Sequence, residues 1–92
     1  SRPDLPPPAV RFDDRASASA TVVEVHARDR IGVLYRVSRA FAEFDLDVRT
    51  AKIQTLGDLI VDTFYVTQTD GSLVTDPDLR RELERSLLHA VT

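Results

Sequence analysis

Residues 21–44 constrain the fold most, because they join a strand pattern to a helix pattern through a short charged loop. Residues 21–27 alternate, with Val23, Val25 and Ala27 on one face, which predicts a half-buried strand. Helical spacing follows and predicts one buried stripe, made of Leu34, Val37, Phe41 and Phe44. The join places a helix N-terminus, whose first backbone N–H groups lack intrahelical partners, at the end of a sheet.

The connecting loop, residues 28–32, has two explanations that the residues alone leave open. In the first it is a polar connection in which Asp29 caps the helix and Gly32 lies in the first turn. In the second it is a ligand loop, in which the backbone N–H groups of Ile31 to Val33 hold a carboxylate. Asp29 would then pair with an ammonium group, so the loop would suit a zwitterionic amino acid.

A second strand is predicted over residues 46–56. Val48, Ala51 and Ile53 are expected to point inward, toward the core. These three positions do not share one strict alternation, which predicts a β-bulge or bend near Thr50.

A hairpin and a second helix complete the pattern. Residues 57–58 form a two-residue turn into a third strand over residues 59–67. Asp76 and Pro77 are expected at the N-cap and the first position of the second helix. Its apolar stripe consists of Leu79, Leu83, Leu87 and Val91.

The order of these elements is a split βαβ pattern without its usual last strand. Residues 10–13 also alternate and can fill the vacant edge through a hairpin with residues 21–27. We therefore predict an α+β, ferredoxin-like sandwich. It has a four-stranded antiparallel sheet and two helices on one face, and an N-terminal edge strand replaces the last strand.

Composition narrows the function classes. Of five prolines, four lie in the first eight residues, which predicts a linker over residues 1–9 and one domain over residues 10–92. The net charge of −3 disfavours nucleic acid and an anionic membrane surface as partners. With no cysteine and no ligand spacing for a metal, neither a metal site nor a cofactor is expected.

No constellation of side chains predicts catalysis. His26 and His89 are isolated in the sequence and are expected at a surface or an interface. Asp62 should lie on the core face at the rim of the sheet, bonded to a loop or an arginine, with no second carboxylate or nucleophile beside it. The open face of the sheet is expected to be mixed in polarity and suited to packing on another copy or domain.

Three segments resemble the ACT domain, a small regulatory module that binds amino acids. Residues 29–34 are similar to the D-R-P-G-L-L loop of that family, and residues 46–48 to the segment that enters its second strand. Residues 62–67 are similar to its D-x-F-x-V-T strand. Within the family, the lead-in at residues 10–13 and the run at residues 21–25 most resemble the C-terminal modules of bifunctional PII uridylyltransferase/uridylyl-removing enzymes.

This resemblance implies a regulatory function without catalysis in this segment: cytoplasmic sensing of an amino acid, glutamine first, in nitrogen regulation. The partners it implies are upstream catalytic domains and a second ACT module, either in cis or as a homodimer. The ligand sits between the loop of one module and the second strand of a neighbour. The implied ligand-binding residues are Asp29, Arg30, Ile31, Gly32, Val33, Leu34 and Asp47.

One departure from the family and one alternative remain. Ile31 stands where proline is common, so the loop is less preorganised and loses more conformational entropy on ligand binding.

The alternative function is a ligand-free ACT pairing module of another multidomain metabolic or signalling enzyme. A small acyl phosphatase on the same fold is disfavoured, because it needs an asparagine and the chain has none.

Overall fold

The strands and helices follow the predicted order in the computed structural model, which describes residues 6–28 and 31–92. The elements are β1 (Ala9–Phe12), β2 (Thr21–Ala27), α1 (Val33–Glu43), β3 (Leu46–Leu56), β4 (Leu59–Gln68) and α2 (Pro77–Val91).

The N-terminal strand occupies the predicted edge of the sheet. The strand order is β1-β2-β4-β3 and every neighbouring pair is antiparallel. Val10 lies opposite Val25, so β1 and β2 form the expected hairpin. The predicted ferredoxin-like fold class is therefore confirmed.

The core lies between the sheet and both helices, because each helix turns one apolar stripe toward the same sheet face. Val37 and Phe41 of α1 and Leu83 and Leu87 of α2 are at most 1% exposed. The rings of Phe41 and Phe64 lie 5.2 Å apart between centroids and are tilted, an arrangement that adds to plain area burial. Leu34, Phe44, Leu79 and Val91 pack at the edge of this core, as the helical spacing predicted.

The two helices begin differently. Asp76 caps α2 by accepting a hydrogen bond from the backbone N–H of Asp78 at 3.0 Å, and Pro77 follows at the first helical position, as predicted. The N-cap of α1 is Gly32, with φ 73° and ψ −7°. Gly32 therefore precedes the first turn, and the prediction that placed Gly32 within that turn is wrong. Asp29, the predicted cap, lies outside the described residues.

Val48, Ala51 and Ile53 point to the core side of the sheet, as predicted, because their partners on β4 are the buried residues Val66, Phe64 and Asp62. All three are nevertheless exposed, so the expectation that the core covers them is wrong. Only Leu46 of β3 is buried. The expected bulge is present as a register shift between Val48 and Thr50. An 11-residue strand is about 36 Å long, whereas the 11-residue helix α1 is only about 16 Å long. Most of this edge strand therefore extends beyond the helical layer that would cover it.

Arg80 of α2 forms hydrogen bonds with the loop that follows β1. Its guanidinium donates to both carboxylate oxygens of Asp14, at 2.6 and 3.0 Å, and to the carbonyl oxygen of Val74 at 2.8 Å. The same group lies 4.7 Å from the ring centroid of Phe12. The hydrogen bonds from Arg80 hold the pKa of Asp14 below its ordinary value.

Candidate functional site

The predicted ligand loop begins where β2 ends and finishes at the start of α1. Two of its predicted site residues, Asp29 and Arg30, lie outside the described residues. The structure brings Ile31, Gly32, Val33 and Leu34 together as one continuous segment at the N-terminus of α1.

The left-handed Gly32 leaves the start of α1 without a side-chain cap. Glycine offers no side-chain oxygen, and no side chain in residues 6–28 or 31–92 accepts a hydrogen bond from the first turn. The first intrahelical bond runs from the backbone N–H of Arg36 to the carbonyl oxygen of Gly32 at 3.0 Å. The backbone N–H groups of the first turn, on Val33, Leu34 and Tyr35, therefore form an electropositive helix end, which is a favourable environment for a carboxylate.

Side chains of the loop have different surroundings. Ile31 is 82% exposed, whereas Val33 is 2% exposed and belongs to the core. Leu34 is half-buried against that core. Val33 and Leu34 can therefore contribute only backbone groups to a ligand, while Ile31 can also offer an apolar surface.

Arg36 is a cation at this site that sequence reasoning did not single out. Its Nε donates to the carbonyl oxygen of Ala90 at 2.7 Å, which holds the start of α1 against the end of α2. Its Nη1 lies 2.7 Å from the point where a Cβ on Gly32 would be. The spacing of four residues from Gly32 on a helix was the available signal, because such residues lie on one face.

Arg28 connects this end of the sheet to the proline-rich N-terminal segment. Its Nε donates to the carbonyl oxygen of Pro6 at 3.0 Å, across 22 positions of sequence. The chain segment before β1 thus lies beside the residue that follows β2.

Asp47 lies at the opposite end of the sheet from the loop. It is the cross-strand neighbour of Thr67, whereas Ala27, the last residue of β2, is opposite Ile60. Seven residues of β4 separate these rows, or about 23 Å along the strand. One copy of the chain therefore does not bring Asp47 and the loop together.

Two polar residues that the sequence analysis singled out, His26 and Asp62, lie in the sheet. His26 is near Glu24, with 3.2 Å between Nε2 and Oε1, and both are partly buried on the open sheet face. Asp62 is 1% exposed, which corrects its predicted place at the rim of the sheet.

Within the described ranges, no group of His, Cys, Asp and Glu has the geometry of a metal site. Neither helix in this part of the chain is long and apolar enough to cross a membrane.

The fold and this loop match a known family. The family model for ACR9-like, ACT-like domains matches residues 9–92. The chain belongs to the ACT domain family. A bifunctional uridylyltransferase/uridylyl-removing enzyme of Azospirillum brasilense is 41% identical over 85 residues, which are 92% of this chain and 9% of that enzyme. The corresponding enzyme of Pseudomonas putida strain W619 is 39% identical over 82 residues, 89% of this chain and again 9% of the enzyme.

A solved structure supports the ferredoxin-like fold independently. The crystal structure of an unknown protein from Galdieria sulphuraria superimposes with a TM-score of 0.59 at 23% identity. The match covers 76% of this chain and 37% of that one. The ACT domain thus corresponds to a small part of much longer relatives.

Proposed function

We propose that this ACT domain is a regulatory module that senses an amino acid, with glutamine as the first candidate. The proposal includes a parent enzyme that uridylylates and deuridylylates PII in nitrogen regulation, and a cytoplasmic location. In this proposal residues 1–9 are a linker, residues 10–92 are the regulatory domain, and catalysis belongs to domains upstream.

The start of α1, where Gly32 is the N-cap residue and no described side chain caps the first turn, carries the proposal. A free amino acid presents one carboxylate and one ammonium group. Backbone N–H groups at a helix N-terminus stabilise the carboxylate, and Arg36 adds a positive charge beside Gly32. The 38–41% identity to uridylyltransferase/uridylyl-removing enzymes supports the choice of parent enzyme.

A second ACT module completes the proposed site. Asp47 and the loop lie at opposite ends of the sheet, so the two halves of a site meet only when one module's loop approaches another module's β3. β3 is an edge strand of the described sheet, and an edge strand suits antiparallel pairing with a neighbouring module. Ligand between two modules would favour the paired arrangement, which is how binding would reach the parent enzyme.

A ligand-free pairing module is the second candidate function, and the surface of β3 favours it. Val48, Ile53 and Leu56 are 42%, 40% and 61% exposed. Three apolar side chains on one free edge strand suit association with a partner even when no metabolite binds. This candidate predicts self-association that amino acids do not alter.

Calorimetric titration with glutamine separates these functions. The chain is studied at concentrations where sedimentation shows association, and Asp47→Ala is compared with Glu84→Ala, an exposed α2 residue. We expect saturable heat with glutamine, at least tenfold weaker binding in Asp47→Ala, and no change in Glu84→Ala. Absence of heat at millimolar glutamine in the associated chain contradicts sensing and favours the pairing module.

A further inference from the structure

The open face of the sheet contains a cavity that is remote from the loop. Its volume is about 520 Å³, within the range of small-molecule sites. It lies where β3 begins and β4 ends, and Arg49 and Lys52 both line it. Hydroxyl groups form much of the remaining wall, from Ser19, Thr50, Tyr65 and Thr67.

The bulge in β3 builds this cavity. Neighbouring residues of a regular strand point to opposite faces, yet Arg49 and Thr50 both line the same cavity. The register shift between Val48 and Thr50 is what permits this arrangement, and bulges commonly re-aim a side chain in this way. Lys52, two residues after Thr50, then falls on the same face.

Arg49 is held in place without being neutralised. Its Nε donates to Thr67 Oγ1 at 3.0 Å, and Thr67 is 3% exposed, so the anchor is rigid. The nearest carboxylate oxygen, on Asp47, is 3.9 Å from Nη2, and both side chains are about half exposed. An ion pair of that length in solvent is worth little, so most of the guanidinium charge remains available.

Lys52 adds a second positive charge to the lining of the cavity. Its Nζ lies 5.3 Å from the ring centroid of Tyr65, a cation–π contact that positions the ammonium group without cancelling its charge. No Asp or Glu is among the described residues that line the cavity. Two cations therefore line one cavity in a chain whose net charge is −3.

We propose that this cavity binds a small phosphomonoester, a second ligand class for this domain. Two cations suit a dianionic phosphoryl group, and Arg49 can offer its planar N–H donors to two phosphate oxygens. Hydroxyl groups of the lining, such as those of Ser19, Thr50 and Tyr65, can exchange hydrogen bonds with a sugar. The cavity lies about 23 Å from the loop of the same chain, and its residues Arg49 and Thr67 are neighbours of Asp47, the other half of the proposed amino-acid site. The phosphomonoester would therefore bind next to that half, on residues that the proposed amino-acid site does not include.

Titration with ribose 5-phosphate, followed by amide NMR shifts at low salt, tests the proposal. Lys52→Gln and Arg49→Gln are compared with Arg85→Gln, which removes one exposed positive charge from α2. We expect saturable shifts at the cavity residues, about tenfold weaker binding in either cavity variant, and wild-type binding in Arg85→Gln. Circular dichroism confirms that each variant is folded.

Three results would overturn the phosphomonoester site. They are shifts that do not saturate, equal binding of unphosphorylated ribose, and an equal loss in Arg85→Gln. Lys52→Gln should keep its response to glutamine, because Lys52 is outside the proposed amino-acid site. A failure of glutamine binding in the wild type therefore leaves this test unaffected.

Discussion

Substitution of Gly32 by alanine tests the geometry at the start of α1. Gly32 has φ 73° and ψ −7°, a left-handed conformation that glycine adopts readily and alanine does not. The new methyl group would also lie 2.7 Å from Nη1 of Arg36, which is closer than real Cβ contacts. Arg36 must then move, although its Nε donates to the carbonyl oxygen of Ala90.

The expected decrease in the free energy of unfolding of Gly32→Ala has two parts. Left-handed backbone costs an L-residue about 1–2 kcal/mol. Displacement of the largely exposed Arg36 adds about 1 kcal/mol through its weakened hydrogen bond to Ala90. The chain offers a control in Gly71, which has φ 85° and no atom within 4 Å of the point that an alanine methyl group would occupy. Gly71→Ala should therefore show the backbone cost alone.

Thermal unfolding followed by circular dichroism measures the difference. For a domain of this size 1 kcal/mol corresponds to about 4–8 °C in Tm, so Gly32→Ala should melt that much below Gly71→Ala. The gap should disappear when both substitutions are made in an Arg36→Ala background, because no guanidinium then remains to be displaced. Equal Tm values for the two single variants would refute the proposed contact between Gly32 and Arg36.

Three further predictions concern the packing of the domain. Asp76→Ala should lower the free energy of unfolding by about 1 kcal/mol in urea titration, since the first turn of α2 loses its cap. Leu83→Ala should lower it by about 2–5 kcal/mol in the same assay, because this side chain is 0% exposed in the core. Arg80 lowers the pKa of Asp14, so the stability from this pair is present above the unfolded pKa of about 3.9 and is lost as pH falls through the lower folded pKa. Asp14→Asn should therefore lower the urea midpoint at pH 6 and differ less from wild type at pH 3.

Local patterns predicted most of the secondary structure and the order of the strands. The alternation over residues 21–27 gave the bounds of β2, and the broken alternation in β3 gave the bulge near Thr50. A missing last strand, together with a spare alternating segment, was enough to place β1 at the edge. These features depend on neighbouring residues, which a sequence displays directly.

Features that depend on distant residues could not be predicted in the same way. Periodicity says which face Ile53 shares, but the shortness of α1 decides whether anything covers it. The backbone is left-handed at Gly32, directly before Val33, a conformation that glycine adopts readily, and residue-type preferences for a cap do not reveal it. The bond from Arg36 to Ala90 spans 54 positions, and no local pattern encodes it.

An edge strand taken from the start of the chain has a geometric consequence. Ala9 lies opposite His26, so the polypeptide joins the sheet at the margin where β2 turns toward α1. Arg28 binds the carbonyl oxygen of Pro6 at that margin. A tether to any preceding domain is thus attached next to the helix end, and a shift of the loop can be transmitted along a path of a few residues instead of through the whole sandwich.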